Sequence, residues 1–157
     1  MKQSFLSFAS RYVMAILLGL GLLLLHTEVE GGALTVFIPQ TISPWELGKI
    51  AFWPLLLVAV VLPSPQSLAP CVVTTVGLVL LGWLCQGIGL ESAVILVLWM
   101  ALLALSLYCL QPKESSPWWV VAVLVLGVGF VMLTFFPALW GPFLDPTDVA
   151  AMATLAF

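Results

Sequence analysis

Long apolar runs, separated by short polar or proline-rich stretches, dominate the chain. A helix needs roughly 20 mostly apolar residues to cross a bilayer. Five stretches meet or approach that length: residues 5–25, 45–62, 68–86, 92–110 and 117–136. The pattern therefore predicts an all-α integral membrane protein. We expect a single transmembrane domain over residues 1–157, built as a compact bundle of five membrane-spanning helices.

The start of the second helix carries the clearest local signal. Ser43, Pro44 and Glu46 match a capping box, with serine at the cap, proline at the first helical position and glutamate three residues after the cap. Pro54 lies well inside the same helix. Because proline lacks a backbone N–H, it should kink this helix and free the carbonyl of Ile50.

The first apolar stretch has two interpretations. A basic start followed by an apolar run is typical of a cleaved signal peptide as well as of a spanning helix. No clear small-x-small cleavage site follows Leu25, and further apolar stretches come after it. We therefore expect a retained helix, with Arg11 extending towards the headgroups. Ala15 and Gly19 form a small-x-x-x-small pair on this helix, a pattern that favours close helix packing.

The C-terminal segment, residues 137–157, is not expected to form a sixth span. Its last apolar run, residues 149–157, is too short to cross a bilayer. The segment also contains residues that disfavour a continuous helix or a membrane environment: Pro137, Pro142, Asp145, Pro146 and Asp148.

The basic residues predict the orientation. Lys2 and Arg11 precede the first span, and Lys113 lies between the fourth and fifth. With five spans both places fall on one side, which the positive-inside rule makes cytoplasmic. The N-terminus is then inside and the C-terminus outside, and Glu46 and Lys49 lie near the outer face.

Composition supports the membrane prediction and excludes several classes of protein. Hydrophobic residues make up 63% of the chain and charged residues only 7%, whereas soluble domains are about a quarter charged. This excludes a cytoplasmic enzyme and a disordered tail. Lysines and arginines number only four, which excludes electrostatic binding of nucleic acid.

Sequence signatures of catalysis or of bound cofactors are missing. The chain has one histidine and no Cys-x-x-Cys pair, so a standard tetrahedral metal site is not expected. Gly-x-Ser-x-Gly, HExxH and glycine-rich phosphate-binding motifs are absent as well. We expect no cofactor, no metal and no catalytic residues. Cys71, Cys85 and Cys109 are interpreted as buried, inert thiols.

Four ionisable residues are candidates for a polar site near the outer face: His26, Glu46, Lys49 and Asp145. Ionisable groups at membrane depth are costly unless paired, which makes them functional candidates. Glu46 and Lys49 are three positions apart on one helix, so their side chains can meet. Residues 33–38 form an apolar stretch expected to dip into the interface above them.

Each of these residues also has a purely structural interpretation. Glu46 can simply complete the capping box, and Lys49 can pair with it or extend to the interface. On that interpretation Glu46→Gln costs only about 0.5 kcal/mol. His26 can interact with the C-terminal dipole of the first helix, and Asp145 precedes a proline as turn residues often do.

Two segments resemble a family of short bacterial multi-pass membrane proteins of unknown function. Its members have a histidine after the first helix, an N-E-S-x-W-E-H-x-K motif opening the second, and a T-F-x-P-P … P-L-F-x-D-P segment near the end. Here His26 precedes F-I-P-Q-T-I-S-P-W-E-L-G-K at residues 37–49 and F-W-P at residues 52–54. A second stretch, L-T-F-F-P … G-P-F-L-D-P, occupies residues 133–146. The chain departs from the motif before Ser43 and at Leu47, where two polar groups are missing. The resemblance implies a multi-pass protein of the bacterial plasma membrane and points to this region, not to a reaction.

Two functions remain open at this point. The first is a non-catalytic membrane protein, either an accessory subunit or a binder of a small molecule or lipid at the outer face. The second is a small transporter, channel subunit or intramembrane enzyme that uses the four polar residues. The expected partners are the lipid bilayer and a second membrane protein or a second copy of the chain.

Overall fold

The computed structural model describes residues 5–25, 32–41, 43–62, 68–89, 92–110 and 116–136. Within these ranges the chain is helical and contains no strand. The five α-helices are α1 (Phe5–Leu24), α2 (Pro44–Val61), α3 (Ala69–Ile88), α4 (Ser92–Cys109) and α5 (Pro117–Phe135). All five predicted helices are confirmed, with ends within two residues of the predicted ones. A short 3-10 helix, Ala33–Val36, lies between α1 and α2.

Four of these helices, α1, α2, α3 and α5, are long and apolar enough to cross a membrane. The described apolar part of α4, Ala93–Cys109, is slightly shorter. The fold is therefore all-α, with several helices suited to a membrane, as the apolar runs predict.

The helices pack around α2. This helix contacts both α1 and α3, α3 contacts α4, and α4 contacts α1. Eleven of the 18 residues of α2 are buried, compared with two of the 19 residues of α5. The core therefore lies among the first four helices, and α5 packs against its edge.

The contact between α1 and α2 depends on Gly19. A Cβ atom at this position would lie 2.7 Å from the carbonyl oxygen of Ile50 and 2.6 Å from Cη2 of Trp99. Ala15, one turn earlier in α1, is also buried. The predicted close packing at this pair of small residues is confirmed. Pro54 has no backbone N–H group, so the Ile50 carbonyl does not accept the hydrogen bond that is usual within a helix.

Two of the three cysteines match the prediction. Cys71 and Cys85 are buried thiols, and Cys71 donates a weak hydrogen bond to the carbonyl of Phe52, with a sulfur–oxygen distance of 3.6 Å. For Cys109 the prediction of burial is wrong. This residue is the last of α4, and its side chain is exposed.

A buried pair of hydroxyl groups joins α3 to α4. The Thr74 and Ser106 oxygens lie 2.6 Å apart, and Ser106 also donates to the carbonyl of Leu103. Next to this pair, the Thr75 hydroxyl is buried and makes no hydrogen bond within the described part of the chain. Thr74 and Thr75 therefore differ in whether the buried hydroxyl has a hydrogen-bond partner, and mutation can test this difference.

We expect Thr74→Val to lower the free energy of unfolding by about 0.6 kcal/mol, the mean for hydrogen bonds between membrane helices. Thr75→Val is the matched control, with the same substitution at the next residue. It removes a buried hydroxyl without a partner, so stability should stay unchanged or rise. Thermal unfolding of both variants in one detergent measures the difference. A loss for Thr75→Val as large as that for Thr74→Val would contradict the assignment.

Candidate functional site

A buried ion pair lies near the start of α2. The Nζ atom of Lys49 is 2.7 Å from Oε2 of Glu46, and the side chain of Lys49 is fully buried while that of Glu46 is 11% exposed. The spacing of three residues places both groups on one face of the helix. The predicted meeting of these two residues is confirmed.

The same two side chains hold the segment that precedes α2, residues 32–41, which we call the strap. Lys49 Nζ donates to the carbonyl of Thr35 at 2.9 Å. The backbone N–H of Gln40 donates to Glu46 Oε2, also at 2.9 Å. The ion pair thus fastens the strap at two points, one in the 3-10 helix and one close to the start of α2.

Further hydrogen bonds satisfy other polar backbone groups of the strap. The indole N–H of Trp53 donates to the carbonyl of Val36 at 2.9 Å. The Thr35 hydroxyl donates to the Gly32 carbonyl at 2.8 Å, and the N–H groups of Phe37 and Ile38 donate to the Leu34 carbonyl. Irregular backbone is tolerated at membrane depth only where such groups are satisfied or solvated. The side chains of α2 therefore allow this segment to lie against the helix.

The capping box at the start of α2 is only half formed. Ser43 Oγ accepts a hydrogen bond from the N–H of Glu46 at 3.3 Å, as predicted. The reciprocal bond from the Ser43 N–H to the Glu46 carboxylate is replaced, because this N–H donates to Thr41 Oγ1 at 3.4 Å. The Glu46 carboxylate instead accepts from Gln40 and Lys49. Its role is to anchor the strap as well as to begin the helix.

A row of aromatic rings connects the strap to α5. Ring centroids lie 4.8 Å apart between Phe37 and Trp53, and 4.8 Å apart between Trp53 and Phe52. Phe52 in turn lies 5.1 Å from Phe130 of α5, which lies 4.7 Å from Trp45. Such ring pairs add to the attraction that their buried area provides. The strap, α2 and α5 are thus in continuous contact.

Beside this row, a groove of about 410 Å³ runs between α2 and α5. Three residues of α2 and six of α5 line it: Phe52, Trp53, Leu56, Val123, Leu124, Gly127, Val128, Val131 and Met132. All of them are apolar apart from the indole N–H of Trp53, which is already bonded to Val36. The groove suits a hydrocarbon chain and offers no free polar group to a reaction.

Two of the four predicted site residues meet and two cannot be placed. Glu46 and Lys49 form the ion pair, whereas His26 and Asp145 lie outside the described residues. The sequence gives no signal for the hydrogen bond from Trp53 to the strap, because its acceptor is a backbone carbonyl. Within the described ranges, no three His, Cys, Asp or Glu residues are close enough to hold a metal ion.

No known protein family, curated protein or solved structure is detectably similar to this chain. The family resemblance of residues 26–54 and 133–146 therefore stays a prediction, and the functional argument depends on the geometry.

Proposed function

We propose that this chain is a non-catalytic, multi-pass protein of the bacterial plasma membrane that binds a hydrocarbon chain of a lipid in the α2–α5 groove. The observation that carries the proposal is the groove itself. It is apolar along its length and is formed by two helices that are long and apolar enough to span a bilayer. A polar ligand would lose its hydration there without gaining hydrogen bonds.

The contacts of Glu46 and Lys49 support a structural role for these two residues beside the groove. The ammonium of Lys49 is fully buried and bonded to Glu46 and to the strap. The carboxylate of Glu46 accepts two hydrogen bonds. Their charges compensate each other, and their bonds are directed at backbone of the strap. This arrangement favours a binding protein over a transporter or an enzyme that moves protons through these groups.

The proposed topology has five spans, with the N-terminus in the cytoplasm and the C-terminus outside. Lys2, Arg11 and Lys113 then lie on the cytoplasmic side. The 18 residues of α4 measure about 27 Å along the axis, close to the hydrocarbon thickness of roughly 30 Å. In this orientation the strap faces outwards, so the groove takes its chain from lipids of the outer leaflet.

Blocking the groove tests the proposal. We expect Val128→Trp to reduce photocrosslinking of α5 by a phosphatidylcholine with a diazirine on one acyl chain, by about tenfold relative to the wild type. This corresponds to about 1.4 kcal/mol of lost binding free energy. Val128 lines the groove, and an indole there occupies its volume. Crosslinked residues are identified by mass spectrometry of peptides from the purified protein.

Val125→Trp is the matched control. Val125 belongs to the same helix and is 65% exposed, but it does not line the groove. This variant should keep the wild-type crosslinking at residues 127–132. Equal crosslinking at positions 125 and 128 in the wild type, unaffected by either substitution, would mean that lipid surrounds α5 without a preferred site. The proposed function would then be wrong.

A further inference from the structure

Trp53 belongs to both the groove and the closed strap. Its indole forms part of the groove wall next to Phe52 and Leu56. The indole N–H donates to the carbonyl of Val36, and the ring contacts Phe37. Among the described residues that line the groove, Trp53 is the one that donates a hydrogen bond to the strap. Any ligand in the groove therefore touches a side chain that helps to hold the strap in place.

We propose that a hydrocarbon chain in the groove holds the strap closed through Trp53. This inference rests on the proposed function and adds a regulatory consequence to it. The chain would bind in the groove and not at the strap, but its presence would change how often the strap opens.

The mechanism follows from the two sets of contacts that one indole ring makes. A chain lying in the groove contacts the Trp53 ring, and many small dispersion contacts then favour the present rotamer of this side chain. Without the chain, the neighbouring volume allows the ring to turn into the groove. The ring then loses the Val36 carbonyl and the contact with Phe37.

The coupling acts in both directions. If an occupied groove favours the closed strap, a closed strap must favour binding of the chain by the same factor. The other fastening points do not depend on Trp53, because Lys49 bonds to Thr35 and Glu46 to Gln40. Opening is therefore expected around Val36 and Phe37, while the end of the strap near Gln40 stays attached.

Backbone hydrogen exchange measures this coupling directly. The N–H groups of Phe37 and Ile38 both donate to the Leu34 carbonyl within the strap, so their exchange reports local opening. The protein is purified in digitonin, a detergent without a flexible acyl chain, and dioleoyl phosphatidylcholine is then added. We expect exchange in residues 33–38 to slow about fivefold, the effect of one hydrogen bond of ordinary net strength.

The variant Trp53→Phe distinguishes the contribution of the aromatic ring from that of the indole N–H group. Phenylalanine keeps an aromatic wall for the groove but cannot donate to the Val36 carbonyl. We expect this variant to lose the slowing of exchange in residues 33–38 when lipid is added. Because Trp53 lines the groove, photocrosslinking of the lipid in α5 is measured on the same sample, so that any loss of binding is scored separately. Trp83→Phe is the control, since Trp83 lies in α3 with 47% of its surface exposed and does not line the groove. It should behave like the wild type.

The outcomes distinguish this inference from the proposed function. Crosslinking of the lipid in the groove of the wild type, without slower exchange in residues 33–38, would overturn the coupling and leave the lipid site intact. The same slowing in Trp53→Phe as in the wild type would also overturn it. Loss of preferential crosslinking in the groove would instead refute the lipid site, on which the coupling depends. The wild-type measurements decide the matter even if the variant fails to fold.

Discussion

Glu46→Gln is expected to lower the free energy of unfolding by about 3–5 kcal/mol, the usual cost of breaking a buried ion pair by neutralising one partner. The ammonium of Lys49 is fully buried, and Glu46 is the acidic group bonded to it. Glutamine keeps the size of the side chain and an oxygen that can still accept from Gln40. The loss therefore comes from leaving a buried positive charge uncompensated.

A double variant isolates that cause. Glu46→Gln combined with Lys49→Met removes both charges, and replacing a buried pair by neutral groups of similar volume is often close to neutral. The double variant also loses the bond to the Thr35 carbonyl, which costs about 1 kcal/mol. It should therefore be more stable than Glu46→Gln alone. Chemical unfolding of the purified variants in mixed micelles provides the comparison.

The size of the single loss distinguishes two roles for Glu46. If Glu46 only caps the helix, Glu46→Gln should lower the free energy of unfolding by about 0.5 kcal/mol. A loss that small, with no recovery in the double variant, would show that the ion pair contributes little to the closed strap. The structure changes the expectation from the smaller to the larger value because it places Lys49 out of contact with solvent.

The sequence predicts the helices well for a physical reason. Each α-helix coincides with a long apolar run, and proline or glycine stands at several ends, including Pro44, Gly89 and Pro117. The pairing of Glu46 with Lys49 could also be predicted, because a spacing of three within one helix fixes the geometry locally. Features set by local spacing are thus accessible without a structure.

The strap and the groove could not be predicted in the same way. The strap is held mainly through backbone atoms, such as the Thr35 and Val36 carbonyls, which every residue type possesses. Its apolar side chains indicated only a segment that dips into the interface. The groove arises because α5 packs loosely against the edge of the core, and its near-uniformly apolar sequence does not show which face meets α2.

Gly19→Ala is expected to lower the free energy of unfolding by about 1–3 kcal/mol, the range for overpacking a tight interior. The added methyl group would lie 2.7 Å from the Ile50 carbonyl oxygen and 2.6 Å from the Trp99 ring. Backbone of a neighbouring helix cannot move aside as a flexible side chain can. Relief therefore requires α1 to shift away from α2, which weakens the packing around both helices.

Gly21→Ala is the control that separates this clash from a general effect of alanine. It lies two residues further along α1, and a Cβ atom there would meet nothing within 4 Å. Because alanine favours a helix over glycine by about 1 kcal/mol, this variant should be unchanged or more stable. The two substitutions add the same methyl group to the same helix, but only Gly19→Ala should lower the free energy of unfolding when both are measured in one detergent. Stabilisation by Gly19→Ala would mean that α1 does not approach α2 this closely, and the packing of the first four helices would have to be revised.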